Sequence, residues 1–229
     1  MKRLASALIL ALVANFSVSA TAGEAYYVLI FGSQTSPKQL KYTHTWATFV
    51  HTVGEGTDPN GYFVEHLTIS WLPATLKVKV LTLKPETGVN LDLEQSIRAM
   101  LANKENITMW GPFVTSPMLY ERAARQVYKL ESGSEQYRAW DGPFNLDISD
   151  CIHAVADIDP DFGRTHYPLI RIGKPASRFI ARSFVSRFSE VKKTQDNAWL
   201  VARLGIDRYP IEVIAAIETS YLPFGRGGK

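Results

Sequence analysis

The chain has 229 residues, of which 46% are hydrophobic and 21% are charged, and its formal net charge is +3 at pH 7. This length can bury one substantial hydrophobic core, so a single domain is the expectation. A chain with a net charge this close to zero lacks the basic surface that nucleic-acid binding requires. No repeat or Ser/Gly-rich linker divides it into domains.

The first 22 residues are typical of an export signal. Met1-Lys-Arg3 is positively charged, residues 4–18 carry no charge, and Ala20-Thr-Ala22 offers the small residues of a cleavage site. The uncharged run is short for a membrane span. We therefore predict a signal peptide over 1–22. The expected mature protein, residues 23–229, is periplasmic or secreted and has no transmembrane anchor.

Four segments near the start of the mature chain predict strands. Tyr26–Phe31 is a short apolar run, and Tyr42–Val53 and Tyr62–Leu72 are rich in β-branched and aromatic residues. Lys77–Lys84 alternates polar and apolar residues, the pattern of a strand with one wet face. Together they predict an antiparallel sheet built from hairpins.

Helical patterns come after the strands. A short predicted strand, Ile107–Trp110, interrupts the helical patterns. We expect Gly111-Pro112 to end this strand. The basic helix that begins at Pro175 carries Arg178, Arg182, Arg187, Lys192 and Lys193, which we interpret as its solvated face. Strands followed by helices predict an α+β fold in which helices pack on an antiparallel sheet. The predicted helices are Asp92–Asn103, Ser116–Leu130, Pro175–Phe188, Ala198–Leu204 and Ile211–Ile217.

Cys151 is the only cysteine, which is unusual in an exported protein because such proteins use cysteines in disulfide pairs. It stands where a polar turn runs into an apolar helical stretch. A thiol at the first turn of a helix is favoured as the nucleophilic thiolate. The alternative is a buried thiol that only fills space in the core.

A nucleophilic cysteine needs a base, normally histidine, and a group that orients it. Of the five histidines, His44 opens a predicted strand, where its side chain can project into a cleft. His153 is two residues from Cys151 and would point away from it on a helix, and His166 lies in a predicted loop. His66 lies on the next strand and could pair with His44 across a hairpin.

The segment Phe144–Val155, with Cys151 at its centre, resembles the nucleophile segment of the circularly permuted papain-like superfamily, which includes the lecithin:retinol acyltransferase-like proteins. The order of a histidine-led strand at His44, a second strand over Tyr62–Trp71 and a late cysteine helix is similar to the layout of that family. The resemblance covers residues 26–157 and implies a permuted papain-like domain with a C-terminal helical extension.

The resemblance also implies roles for the residues. Cys151 would attack a carbonyl carbon, His44 would accept and return the proton, and His66 would fix the tautomer of His44. Glu65 and His51 remain alternatives for this third position. The implied enzyme is an exported hydrolase or acyl-transfer enzyme that cleaves an amide or ester bond in a cell-wall peptide or a lipid, without a cofactor.

Two other interpretations use the same residues. A metal site of Cys151, His44 and His66 lacks any His-x-x-x-His or Cys-x-x-Cys pair, so we predict no metal. A non-catalytic exported binding or structural protein with the same fold would hold Cys151 as a buried filler.

Overall fold

The computed structural model describes residues 23–56, 58–140, 147–160, 172–188 and 197–217. The predicted signal peptide and His166 lie outside the described residues. No described helix combines the length and the apolar character needed to cross a bilayer.

The main sheet has five strands in the order β3-β2-β1-β6-β9. Its first three strands form the predicted antiparallel meander, β6 returns antiparallel to β1, and β9 lies parallel to β6. The strands are β1 (Gly23–Gln34), β2 (Thr43–Gly54), β3 (Phe63–Ile69), β6 (Asn106–Thr115) and β9 (Ile211–Ile214).

A second, smaller sheet has the order β4-β5-β7-β8. It continues the meander, since β4 starts two residues after β3 ends, and β8 leads directly into the helix that begins at Cys151. Its strands are β4 (Trp71–Pro73), β5 (Glu86–Asn90), β7 (Gln136–Tyr137) and β8 (Ile148–Ser149).

Local signals set the ends of several helices. Asp92 and Gln95 form a reciprocal capping box at the start of α1, and Pro117 occupies the first turn of α2. At α3, the Asp150 carboxylate accepts the backbone N–H groups of Ile152 and His153, both at 2.8 Å. The helices are α1 (Leu93–Ala102), α2 (Pro117–Glu131), α3 (Cys151–Ala156), α4 (Lys174–Phe188) and α5 (Ala198–Arg203).

The two faces of the main sheet bury separate apolar clusters, because strand side chains alternate between faces. Helices α2, α3 and α4 cover one face, which we call the α4 face. Helices α1 and α5 cover the other, which we call the α1 face. Strands β1 and β2 supply Val28, Ile30, Ala47 and Phe49 to the α4 face. They supply Leu29, Phe31, Trp46 and Val50 to the α1 face. The predicted α+β class is confirmed.

Three predicted elements are wrong. Residues 77–84 form no strand, because they run between β4 and β5 without a partner among the described strands. Ile211–Ile217 is not helical, because Ile211–Ile214 pairs with β6. Strand β6 does not end at Gly111-Pro112: Gly111 adopts a φ of +109°, which accommodates a bulge opposite Val28 and lets the strand continue.

Candidate functional site

His44 lies on the α1 face, near the start of β2. Its ring stacks on Trp46, which in turn stacks on Phe31, with ring centroids 5.3 and 5.0 Å apart. Nε2 lies 2.9 Å from Ser70 Oγ, and Nδ1 has no hydrogen-bond partner among the described residues. Burial lowers the pKa of His44 to about 3, although the charge of Asp150 partly opposes the shift. The imidazole is therefore neutral at pH 7.

Cys151 belongs to the cluster on the other side of the sheet. It is the first residue of α3, is 9% exposed, and packs in the cluster that contains Ala47 and Phe49. Because His44 has the same strand parity as Trp46, its ring points to the opposite face. Neither ring nitrogen of His44 bonds to the thiol, so the hydrogen bond predicted for the Cys151–His44 pair is not formed.

The surroundings of Cys151 also disfavour a thiolate. Asp150 uses the first free N–H groups of α3 for its own carboxylate. Burial alone would raise the pKa of Asp150, but His153 and those backbone N–H groups hold it below its ordinary value. The ionised Asp150 carboxylate therefore occupies the N–H groups at the start of α3 that would otherwise be free to stabilise a thiolate.

The prediction that His66 orients His44 is wrong. His66 lies opposite Val50, six residues along β2 from His44, which corresponds to about 20 Å. Glu65 and His51 are no closer, since they pair with each other, with His51 Nδ1 2.8 Å from Glu65 Oε1. The partner of His44 is Ser70, which only the return of the chain from β3 into β4 brings to this end of the sheet.

We expect the thiol of Cys151 to be unreactive in the folded protein. At pH 6, iodoacetamide should label the folded chain at least about a hundredfold more slowly than the urea-unfolded chain, because a buried, protonated thiol is a poor nucleophile. Mass spectrometry of the labelled peptide measures the rate. Fast labelling that a His44→Ala variant abolishes would instead establish the predicted dyad.

A cleft of about 730 Å³ lies beside α4. Its floor is the α4 face of three neighbouring strands, at the ends where β1, β6 and β9 lie side by side. Thr108 and Trp110 of β6 stand opposite Glu212 and Ile214 of β9 in the parallel register. Gln34, the last residue of β1, completes this floor.

The opposite wall of the cleft is one stripe of α4. Lys174, Arg178 and Arg182 are spaced four residues apart, so they lie along one side of the helix. The adjacent stripe, which includes Ile180 and Phe184, is buried against the sheet. The sequence predicts that this basic face of α4 is merely solvated. In the structure it lines a cleft.

Among the described residues of the cleft, basic side chains outnumber acidic ones. Glu212 accepts a hydrogen bond from Thr108 at 2.6 Å and lies 3.6 Å from Lys174 Nζ, so its charge is compensated. Arg178 and Arg182 have no carboxylate partner among the described residues, and the buried Nε of Arg182 has no acceptor there. Two guanidinium groups thus face the cleft with unused donors.

Comparison with protein-family models, with curated proteins and with solved structures found no match to this chain. The resemblance to the permuted papain-like superfamily therefore stays a prediction. The cleft was missed from the sequence, although the four-residue spacing of its cations on α4 was visible there. The missing information was that Ile211–Ile214 is a strand, which places Glu212 opposite these cations.

Proposed function

We propose that the chain is an exported, non-catalytic binding protein that takes an anionic amphiphile in the cleft beside α4. The observation that carries the proposal is a pair of guanidinium groups, Arg178 and Arg182, that have no carboxylate partner among the described residues and lie on one wall of a cleft whose other lining is partly apolar. Guanidinium groups bind carboxylate and phosphate oxygens through paired N–H donors.

The apolar lining of the cleft indicates the kind of group that is attached to the acid. Trp110 and Ile214 on the strands face the cleft together with Phe179 on the helix and Ile217 beyond β9. Such surfaces bind an alkyl chain or a ring by removing apolar area from water. An acid head group joined to an apolar body fits both parts of the lining.

Isothermal titration calorimetry with two short amphiphiles tests the proposal. Octyl phosphate should bind below its micellar concentration, and octyl glucoside, which has the same alkyl chain but no charge, should bind at least about tenfold more weakly. The double variant Arg178→Gln/Arg182→Gln should weaken octyl phosphate binding by about a hundredfold or more, since each of the two charge-assisted hydrogen bonds contributes about 1.5–3 kcal/mol.

A matched control removes two arginines elsewhere. Arg98→Gln/Arg125→Gln changes the net charge equally, but these residues pair with Glu94 and Glu121 on exposed helix surfaces. This control should bind octyl phosphate as the native chain does. Equal affinity for the two amphiphiles, or an equal loss in both double variants, would contradict the proposal.

A cysteine-dependent hydrolase or acyl-transfer enzyme is the second candidate. One observation favours it: Cys151 occupies the first position of α3, as the predicted nucleophile segment requires. The iodoacetamide experiment above distinguishes the two candidates, because the binding function needs no reactive thiol. A cell-wall peptide or lipid substrate belongs to this second candidate.

A further inference from the structure

The segment between β4 and β5, residues 74–85, exposes leucine side chains. We call it the leucine loop. Its side chains alternate at first as the sequence predicts, with Lys77 and Lys79 exposed and Val78 half-buried. The N–H of Thr82 donates to the carbonyl of Lys79 and closes a turn. From this turn onward the alternation continues, but the exposed side chains are apolar.

The outward leucines are among the most exposed apolar residues described. Leu81 is 96% exposed and Leu83 is 78% exposed. Burying a leucine contributes about 1.5–3 kcal/mol, so leaving two in water on one loop forgoes that gain. Exposed apolar residues grouped in this way mark an interaction surface.

The loop is held in place by side chains from beyond β7. Arg138 Nη1 donates to the carbonyl of Leu83 at 3.1 Å, and the indole N–H of Trp140 donates to the carbonyl of Val80. Trp140 itself remains 46% exposed beside the loop. The leucines are thus presented by a backbone that is already fixed, which lowers the entropic cost of docking.

The charge of the loop selects its partner. Lys77, Lys79 and Lys84 lie in residues 74–85, which contain no acidic residue. Of the three, only Lys79 is paired within the described residues, with Glu86 at 3.0 Å. Leucines, a tryptophan with an anchored indole and flanking lysines are the composition that inserts into the interface of an anionic bilayer.

We propose that the leucine loop, together with Trp140, docks on the surface of an anionic lipid bilayer. The leucines and the indole enter the interface, and the lysines meet the lipid phosphates. This docking is independent of the cleft beside α4, since no loop residue lines that cleft.

Vesicle flotation tests the docking. The mature protein, residues 23–229, should float with vesicles of 30% phosphatidylglycerol in phosphatidylcholine and should bind pure phosphatidylcholine vesicles at least about tenfold more weakly, because the lysines need anionic lipid. Leu81→Asp/Leu83→Asp should reduce binding to the anionic vesicles by about tenfold or more. The exposure of both positions leaves the fold intact, which circular dichroism checks.

The matched control is Leu40→Asp/Met118→Asp, which adds the same two carboxylates at positions outside the loop that are 48% and 46% exposed. It should bind the anionic vesicles as the native chain does. Equal flotation of the loop variant and the native chain would overturn the proposal. A native dimer in sedimentation analysis that the loop variant loses, without any flotation of the native chain, would overturn it in favour of contact between two copies.

Discussion

Replacing Gly32 with alanine should destabilise the fold by about 1–3 kcal/mol, the cost typical of overpacking a well-packed interior. The added Cβ would lie 2.5 Å from Ser177 Oγ and 2.9 Å from the Cα of Lys174. Since the second contact is with backbone, rotation of a side chain cannot relieve it, and α4 must move away from β1. Urea denaturation followed by circular dichroism measures the change.

The same substitution should disturb the cleft, because α4 forms one of its walls. We expect octyl phosphate binding by Gly32→Ala to fall together with stability. Gly61→Ala is the matched control, since a Cβ there meets no atom within 4 Å. Native stability of Gly32→Ala would show that α4 does not pack as closely as described.

Lowering the pH from 7 to 5 should cost the native protein about 2 kcal/mol through His44 alone. Its pKa is about 3 in the folded chain, against an ordinary value of 6.5, because burial disfavours the charged ring. Between these values the unfolded chain binds a proton that the folded chain does not. Stability from this residue is therefore present above pH 6.5 and is lost as the pH falls towards 3.

The comparison variant is His44→Gln, which keeps a polar group near Ser70 but does not titrate. Its unfolding free energy should lie below that of the native chain at pH 7, and the gap should narrow by about 2 kcal/mol at pH 5. In NMR spectra, the His44 ring signals of the native chain should stay constant from pH 7 to pH 4.5. Parallel pH profiles for the two proteins, or a ring that titrates near pH 6.5, would contradict the burial of His44.

The Gly32 substitution and the His44 titration test different parts of the molecule. The substitution at Gly32 tests the contact that positions the wall of the cleft, and the titration of His44 tests whether the predicted base is sealed in the core. An imidazole whose pKa is lowered to about 3 and whose Nε2 is bonded to Ser70 is a poor base for a thiol on the other face of the sheet. The binding proposal needs the first contact and does not need the second group to be reactive.

The sequence predicted the elements whose signals are local. The meander of β1, β2 and β3, the start of α2 at Pro117 and the start of α3 at Cys151 were all readable. Each depends on a short run of residues: β-branched and aromatic strands, a proline in the first turn, a polar turn before an apolar stretch. The same applies to the position of His44 at the start of a strand.

Pairing over long separations was not readable. Residues 77–84 alternate like a strand but find no partner among the described strands, whereas Ile211–Ile214, part of a predicted helix, pairs with β6, about a hundred residues earlier in the chain. A strand exists only where another strand accepts its hydrogen bonds, and that partner is chosen by the whole fold.

The sequence by itself determined the α+β class, the bounds of helices α1, α2, α4 and α5 to within one residue, and the candidate residues Cys151 and His44. Only the tertiary structure decided that the two lie on opposite faces of a sheet and that Ser70, not His66, meets the imidazole. It also decided that Arg178 and Arg182 face a cleft with Glu212 already compensated. The physical reason is that strand register and strand order fix which side chains meet, and both are set by the packing of residues far apart in the chain.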